Sequence, residues 1–295
     1  MPPSEIEIQN STVIAAEPAK IHNRGPLYIL IAAVLWSMAG LLIKYIPWHP
    51  LAIASGRSFL AALLFLAYYR GRVFRRPNWT TILSGLALML TQAGFITANK
   101  MTTAANAIML QYLSPVFIVL IGAIFYHYRP SRQEITALTA ALAGIVLFFL
   151  DDLSIGNFTG NMIALGTGLT FGLVFLLNSR PECDAPVSIF LGQAATFLVF
   201  LPFLLRVETF QPLPVLAVVV LGIFQLGLAY LLFSFGIRTT KPLSANLLAM
   251  LEPIANPIWV FLVVGELPGP LALIGGLIVL AAVTYINISR IKTTA

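Results

Sequence analysis

Residues 50–69 read PLAIASGRSFLAALLFLAYY, twenty positions whose one charge is Arg57. A helix rises about 1.5 Å per residue, so a run of this length crosses the ~30 Å of hydrocarbon in a bilayer. Working outward in both directions, similar runs fall at Leu27–Ile46, Trp79–Asn99, Ala104–Tyr126, Ile135–Leu150, Phe158–Asn178, Val187–Leu205, Leu213–Phe235, Leu243–Val264 and Leu271–Ile288. Turns such as Pro47-Trp-His-Pro50 and Pro268-Gly-Pro270 are too short to hold a folded domain outside the lipid. The expected fold class is therefore an all-α polytopic membrane protein of ten transmembrane helices, and its function must lie inside the bilayer.

Composition excludes most other classes. The 295 residues are 59% hydrophobic and 9% charged, against roughly a quarter charged in soluble domains, so no water-soluble surface can be built from them. Disordered, collagenous, coiled-coil and disulfide-scaffold chains are excluded together; the lone Cys183 permits no intrachain disulfide. The net charge of +6 sits in short clusters between apolar runs, which reads as a topology signal and leaves no nucleic-acid face. The run Gly166-Thr-Gly-Leu-Thr-Phe-Gly172 lacks the lysine and spacing of a P-loop and reads as a small-residue packing face. With no hydrolase motif and no cluster of metal ligands, neither an enzyme, a cofactor nor a metal is expected.

Orientation follows from lysine and arginine. Lys20, Arg24, Arg70, Arg72, Arg75, Arg76, Arg129, Arg132, Arg180, Arg238, Lys241, Arg290 and Lys292 fall on one side, and Lys44, Lys100 and Arg206 on the other. Both termini are expected in the cytoplasm, with residues 1–24 as a polar tail, and Asp151, Asp152, Glu208 and Glu266 outside. The two halves also match at an offset of 136 to 138: Pro50-Leu-Ala-Ile-Ala-Ser-Gly-Arg57 lies over Pro186-Val-Ser-Ile-Phe-Leu-Gly-Gln193, Thr102-Thr103 over Thr239-Thr240, and Pro115 over Pro253. Five spans per half make the repeats, 25–152 and 153–295, opposite in orientation, an arrangement that places transport sites between the halves.

Trp36-Ser37, Gly56-Arg57-Ser-Phe-Leu-Ala-Ala-Leu-Leu-Phe65, Leu251-Glu252-Pro253-Ile-Ala-Asn-Pro-Ile-Trp259, Gly265-Glu266 and Gly275-Gly276 resemble the ten-span drug/metabolite transporter superfamily, of the EamA kind. The resemblance covers Leu27 to Ile288. Within it the chain looks most like the bacterial inner-membrane exporters of amino acids, particularly aromatic ones. It implies export of a neutral amino acid by alternating access, with the lipid bilayer as surroundings, protons as a candidate coupling partner, and a monomer or homodimer. An exporter of nucleosides or aromatic cations, and a channel, are the other readings. The chain departs from the family pattern at His127-Tyr128, where the first half's Gly-Glu loop would sit, and at Gln193, which replaces the second half's arginine.

Several polar residues within spans are candidates for the chemistry. Gln92, Phe95 and Asn99 share one helical stripe with Leu88, and the repeat carries Leu88 onto Gln225. These amides either bind a substrate's charged ends or tie helices together. Pro115 and Pro253 remove amide donors and free the carbonyls of Gln111 and Ala249, near the polar side chains of Gln111 and Asn246. Such a break serves as a hinge or as a static kink. Glu252 lies near the midplane, where a carboxylate must be protonated, bonded to a neighbour such as Asn256, or on a proton path. Arg57 either recognises charge or snorkels as a structural clamp. Trp36, Phe95, Tyr112, Phe171 and Trp259 supply an aromatic wall or ordinary packing.

Overall fold

The computed structural model describes residues 24–44, 46–102, 104–150, 158–264 and 270–294. The tail, Asp151, Asp152 and the Gly265-Glu266 pair lie outside them. The described residues are helical, with no strand. In chain order they are α1 (Gly25–Trp36), α2 (Ala39–Lys44), α3 (Pro50–Tyr69), α4 (Trp79–Met101), α5 (Ala104–Gln111), α6 (Ser114–Tyr126), α7 (Arg132–Leu150), α8 (Phe158–Asn178), α9 (Ala185–Leu204), α10 (Pro212–Val220), a π-helical stretch (Leu221–Leu228), α11 (Ala229–Gly236), α12 (Pro242–Ala249), α13 (Leu251–Val264) and α14 (Pro270–Thr294). Five of these segments are apolar and long enough to cross a membrane: α3, α4, α8, α9 and the continuous rod Pro212–Gly236.

Three of the expected continuous spans are interrupted. The first breaks at Ser37-Met38, where the Ser37 hydroxyl donates to the Val34 carbonyl at 2.6 Å and so competes with the helical ladder. The fourth breaks at Tyr112-Leu113 and the ninth at Met250, each just before the proline that removes a donor, Pro115 or Pro253. The two proline breaks are 138 positions apart, which is the register of the sequence repeat.

Helix pairing repeats at the same offset. The pair α4 with α8 has α11 with α1 as its counterpart, while α3 with α9 and α7 with α14 are each paired with their own repeat mates. Every one of these pairings joins the first half to the second, so the halves interdigitate. Close backbone approach is bought by glycine: a Cβ on Gly192 of α9 would lie 2.8 Å from the Gly85 carbonyl of α4, and one on Gly144 of α7 would lie 2.8 Å from the Gly275 carbonyl of α14. Gly168 and Gly172 of α8 likewise pack on the α5–α6 break, against the Leu110 and Ser114 carbonyls, in keeping with a packing face.

The bundle is apolar outside and polar inside. Phe74, Trp79, Phe125, Phe158 and Leu198 are exposed, while Ser55, Ser58, Gln92, Gln193, Gln225, Asn246 and Glu252 are buried. Water would drive the opposite arrangement, and lipid permits this one. At one end of the bundle α3 finishes and α9 begins: Arg75, just beyond α3, and Arg238, just beyond α11, both reach Asp184 at 3.8 Å. Gly25 at the start of α1 lies against Gly236 at the end of α11, where its added Cβ would stand 3.0 Å from the Gly236 carbonyl.

Candidate functional site

Between the halves lies a cavity of about 40 Å³ lined by Trp36, Arg57, Thr91, Gln92, Phe95, Gln111, Phe171, Gln225, Leu226, Tyr230 and Glu252. It has room for only a few waters, far below the several hundred Å³ of a pocket that encloses a metabolite. Each wall comes from a named element. The end of α1 supplies Trp36, whose ring meets Phe171 at 6.1 Å and Tyr230 at 5.0 Å. The first half of α3 supplies Arg57, α4 supplies Thr91, Gln92 and Phe95, and the α5–α6 break supplies Gln111.

Arg57 does not snorkel. It is 2% exposed, and its Nη1 donates to Gln225 Oε1 at 3.3 Å, while Gln225 Nε2 donates to the Trp36 carbonyl at 3.5 Å. The side chain therefore points to the bundle interior, because an amide from the other half waits there and the lipid face offers none. Gln92 accepts from the Ser58 hydroxyl at 3.1 Å, which joins α4 to α3.

Glu252 faces the same cavity from the first turn of α13. Its Oε2 lies 2.6 Å from the Tyr112 hydroxyl, and that hydroxyl lies 2.9 Å from the Ala249 carbonyl. The carbonyl freed by Pro253 is thus taken by a tyrosine of the first half and is not open to a ligand. Tyr112 itself stands behind the cavity wall. The two ion pairs among the described residues are those of Asp184, so Arg57 and Glu252, opposite in charge and facing one cavity, are not paired with each other.

Four cavity-lining residues leave a buried polar atom without a partner among the described residues: Trp36 Nε1, Arg57 Nε, Gln92 Nε2 and Gln111 Oε1. Each such atom costs a few kcal/mol in a dry interior. Three are donors and one is an acceptor, which is the complement of a dipolar ligand.

Other expected residues stand elsewhere. Asn99 is half-buried near the end of α4, beyond the cavity, with Nδ2 unpartnered. Asn246 accepts from the Ser114 hydroxyl at 3.0 Å and ties the two proline breaks together, away from the cavity. Pro115 and Pro253 open α6 and α13 without touching it. The side chain of Asn256 lies outside those described. Trp259 donates to Ser37 at 2.7 Å and braces the break in the first span. Tyr230, Thr91 and Leu226 were missed. Tyr230 follows Gln225 by five positions, and only the wider π-helical turn puts both on one face.

A helical bundle built for lipid outside, with a small polar cavity between two repeated halves, is the architecture of a membrane transporter. The EamA-like transporter family model matches residues 23–150 and again 158–288, and the chain belongs to that family. It is similar to an uncharacterized transporter of Archaeoglobus fulgidus, 28% identical over 268 residues, covering 88% of this chain and 94% of that protein. The uncharacterized inner membrane transporter YicL of Salmonella typhimurium is 26% identical over 294 residues, with 90% and 96% covered. A probable terminal-alkyne amino-acid exporter of Streptantibioticus cattleyicolor is 26% identical over 192 residues, 62% of this chain and 64% of that one. A protein of known crystal structure shares the fold with a TM-score of 0.75 at 19% identity, over 88% of this chain and 96% of that one.

Proposed function

We propose that the chain is a ten-span carrier of two inverted five-helix repeats, 25–152 and 153–295, that exports neutral, chiefly aromatic, amino acids across a bacterial inner membrane by alternating access. The observation that carries the reading is the unpaired couple of Arg57 and Glu252 facing one cavity. An amino acid brings a carboxylate for Arg57, Trp36 Nε1 and Gln92, and an ammonium for Glu252 and Gln111 Oε1. Its side chain meets the rings of Trp36, Phe95, Phe171 and Tyr230. A relative named as an amino-acid exporter is in keeping with this cargo. The likeness to YicL favours the inner membrane.

A cavity of about 40 Å³ cannot admit phenylalanine, so loading requires the halves to part. The interrupted helices at Ser37, Tyr112 and Met250 are where the chain yields, and binding at one closed site that opens to each side in turn is carrier behaviour. Cells overproducing the chain should lose preloaded phenylalanine faster than vector controls. Arg57→Gln at equal membrane abundance should slow that efflux about tenfold or more, the worth of one charge-assisted hydrogen bond. Equal rates in all three strains would overturn the substrate reading.

A further inference from the structure

We propose that the α3–α4 turn holds the headgroup of an anionic phospholipid, with its phosphate between Arg70 and Arg72. The proposal rests on α3 being a membrane span and not on the cargo of the central cavity.

The first observation is the backbone. Arg70 ends α3 with φ +48°, and Gly71 follows with φ +76°. The chain reverses there through hydrogen bonds from the Arg70 N–H to the Ala67 carbonyl and from the Gly71 N–H to the Leu66 carbonyl. This left-handed cap is a position that favours glycine and strains any side chain carrying a Cβ. Arginine stands there against its own backbone preference, as His127 does at the end of α6 with φ +51°.

The second observation is an open cavity of about 390 Å³ lined by Tyr68, Tyr69, Arg70 and Arg72. Arg75 has Asp184 as counter-charge, but no ion pair among the described residues engages Arg70 or Arg72. Two unpaired guanidinium groups beside two tyrosine rings, at the point where a membrane-length helix leaves the lipid, suit a phosphate that stays at that depth.

The third observation supplies a path for the acyl chains. The helix α3 packs on the π-helical stretch through Leu60 against Gly222 and Leu64 against Gly227. On these two neighbours Phe59, Leu63 and Phe224 remain exposed, apolar side chains that acyl chains can cover. A soluble phosphate would use the arginines and leave this track empty.

The test reconstitutes the full chain in phosphatidylcholine nanodiscs with or without phosphatidylglycerol, and reads retained lipid by native mass spectrometry together with the unfolding midpoint. The wild type should retain phosphatidylglycerol preferentially. Arg70→Gly should unfold at the same or a higher temperature in pure phosphatidylcholine, because glycine suits that φ, yet bind phosphatidylglycerol about fivefold more weakly, the share of one interfacial cation. Arg129→Gln, which removes an exposed charge from another loop, should leave the preference intact. The proposal fails if the wild type shows no preference, if Arg70→Gly keeps it, or if Arg129→Gln weakens it equally. It also fails if glycerol phosphate displaces the lipid as well as a phosphatidylglycerol vesicle does, which would make the ligand a soluble anion. Phenylalanine efflux from preloaded vesicles of the same lipid compositions reports on the carrier reading separately.

Discussion

Tyr112 owns one hydroxyl proton and faces two acceptors, Glu252 at 2.6 Å and the Ala249 carbonyl at 2.9 Å. If Glu252 is ionised, the proton is drawn to the carboxylate, and the carbonyl that Pro253 deprived of its helical donor is left short. If Glu252 carries a proton, the acid donates to the tyrosine oxygen and the tyrosine proton serves Ala249. The protonation state thus sets which bond braces the break between α12 and α13. Arg57 on α3 and Tyr230 on α11 are the other titratable groups that line the cavity with this carboxyl. Replacing Glu252 by glutamine fixes the donor arrangement of the protonated acid at every pH. Phenylalanine transport by Glu252→Gln in proteoliposomes should therefore lose its dependence on pH, with folded yield close to wild type. A profile that still follows the wild-type curve would return Glu252 to a purely structural role.

At the scale of the element, α7 begins with a reciprocal cap. The Glu134 N–H donates to Ser131 Oγ at 3.2 Å, and the Ser131 N–H donates back to Glu134 Oε2 at 2.9 Å. The Tyr128 hydroxyl adds a bond at 2.9 Å. Burial by itself would raise this carboxyl, but the donors at Ser131 and Tyr128, with Lys241 nearby, hold it below its ordinary value. A carboxyl lower in the folded state stabilises above its unfolded pKa and loses that stability as the pH falls through its folded one. Glu134→Gln should cost about 1 kcal/mol at neutral pH and progressively less in acid. Thermal unfolding in detergent across that range measures it; an equal loss at both ends would mean the charge is idle. Much of this level was legible in the sequence: lengths and hydropathy gave helices α3, α4, α8 and α9, and paired prolines gave both later breaks. The Ser131-x-x-Glu134 signature was equally readable and went unread. Two things were hidden by their nature. Arg57 finds its partner 168 positions away in Gln225, which no local pattern reports. The π-helical turn defeats the 3.6-residue period, so Tyr230 fell off the stripe that the regular helix predicts.

For the molecule as a whole, the arrangement of chain ends bears on how the repeats are oriented. α3 ends where α9, its mate, begins, since Arg75 meets Asp184 there. α1 begins beside Gly236 at the end of α11, while α8, the mate of α1, finishes just before the loop that carries Asp184. Mates that run in opposite senses from one end are what an inverted repeat requires, and that same end gathers Arg70, Arg72, Arg75, Arg76, Arg180, Arg238 and Lys241. Lysine and arginine are retained on the cytoplasmic side. That end, together with both termini, is therefore expected in the cytoplasm, where α1 closes on α11. An alkaline phosphatase fused after Asp152 should be active, whereas one fused after Arg76 should be silent and a fluorescent protein at the same point should glow. Activity after Arg76, or the same signal at both sites, would reverse or dissolve this topology. Export would then need the cavity to load from the opposite face, so this measurement also fixes which closure of the bundle the present arrangement represents.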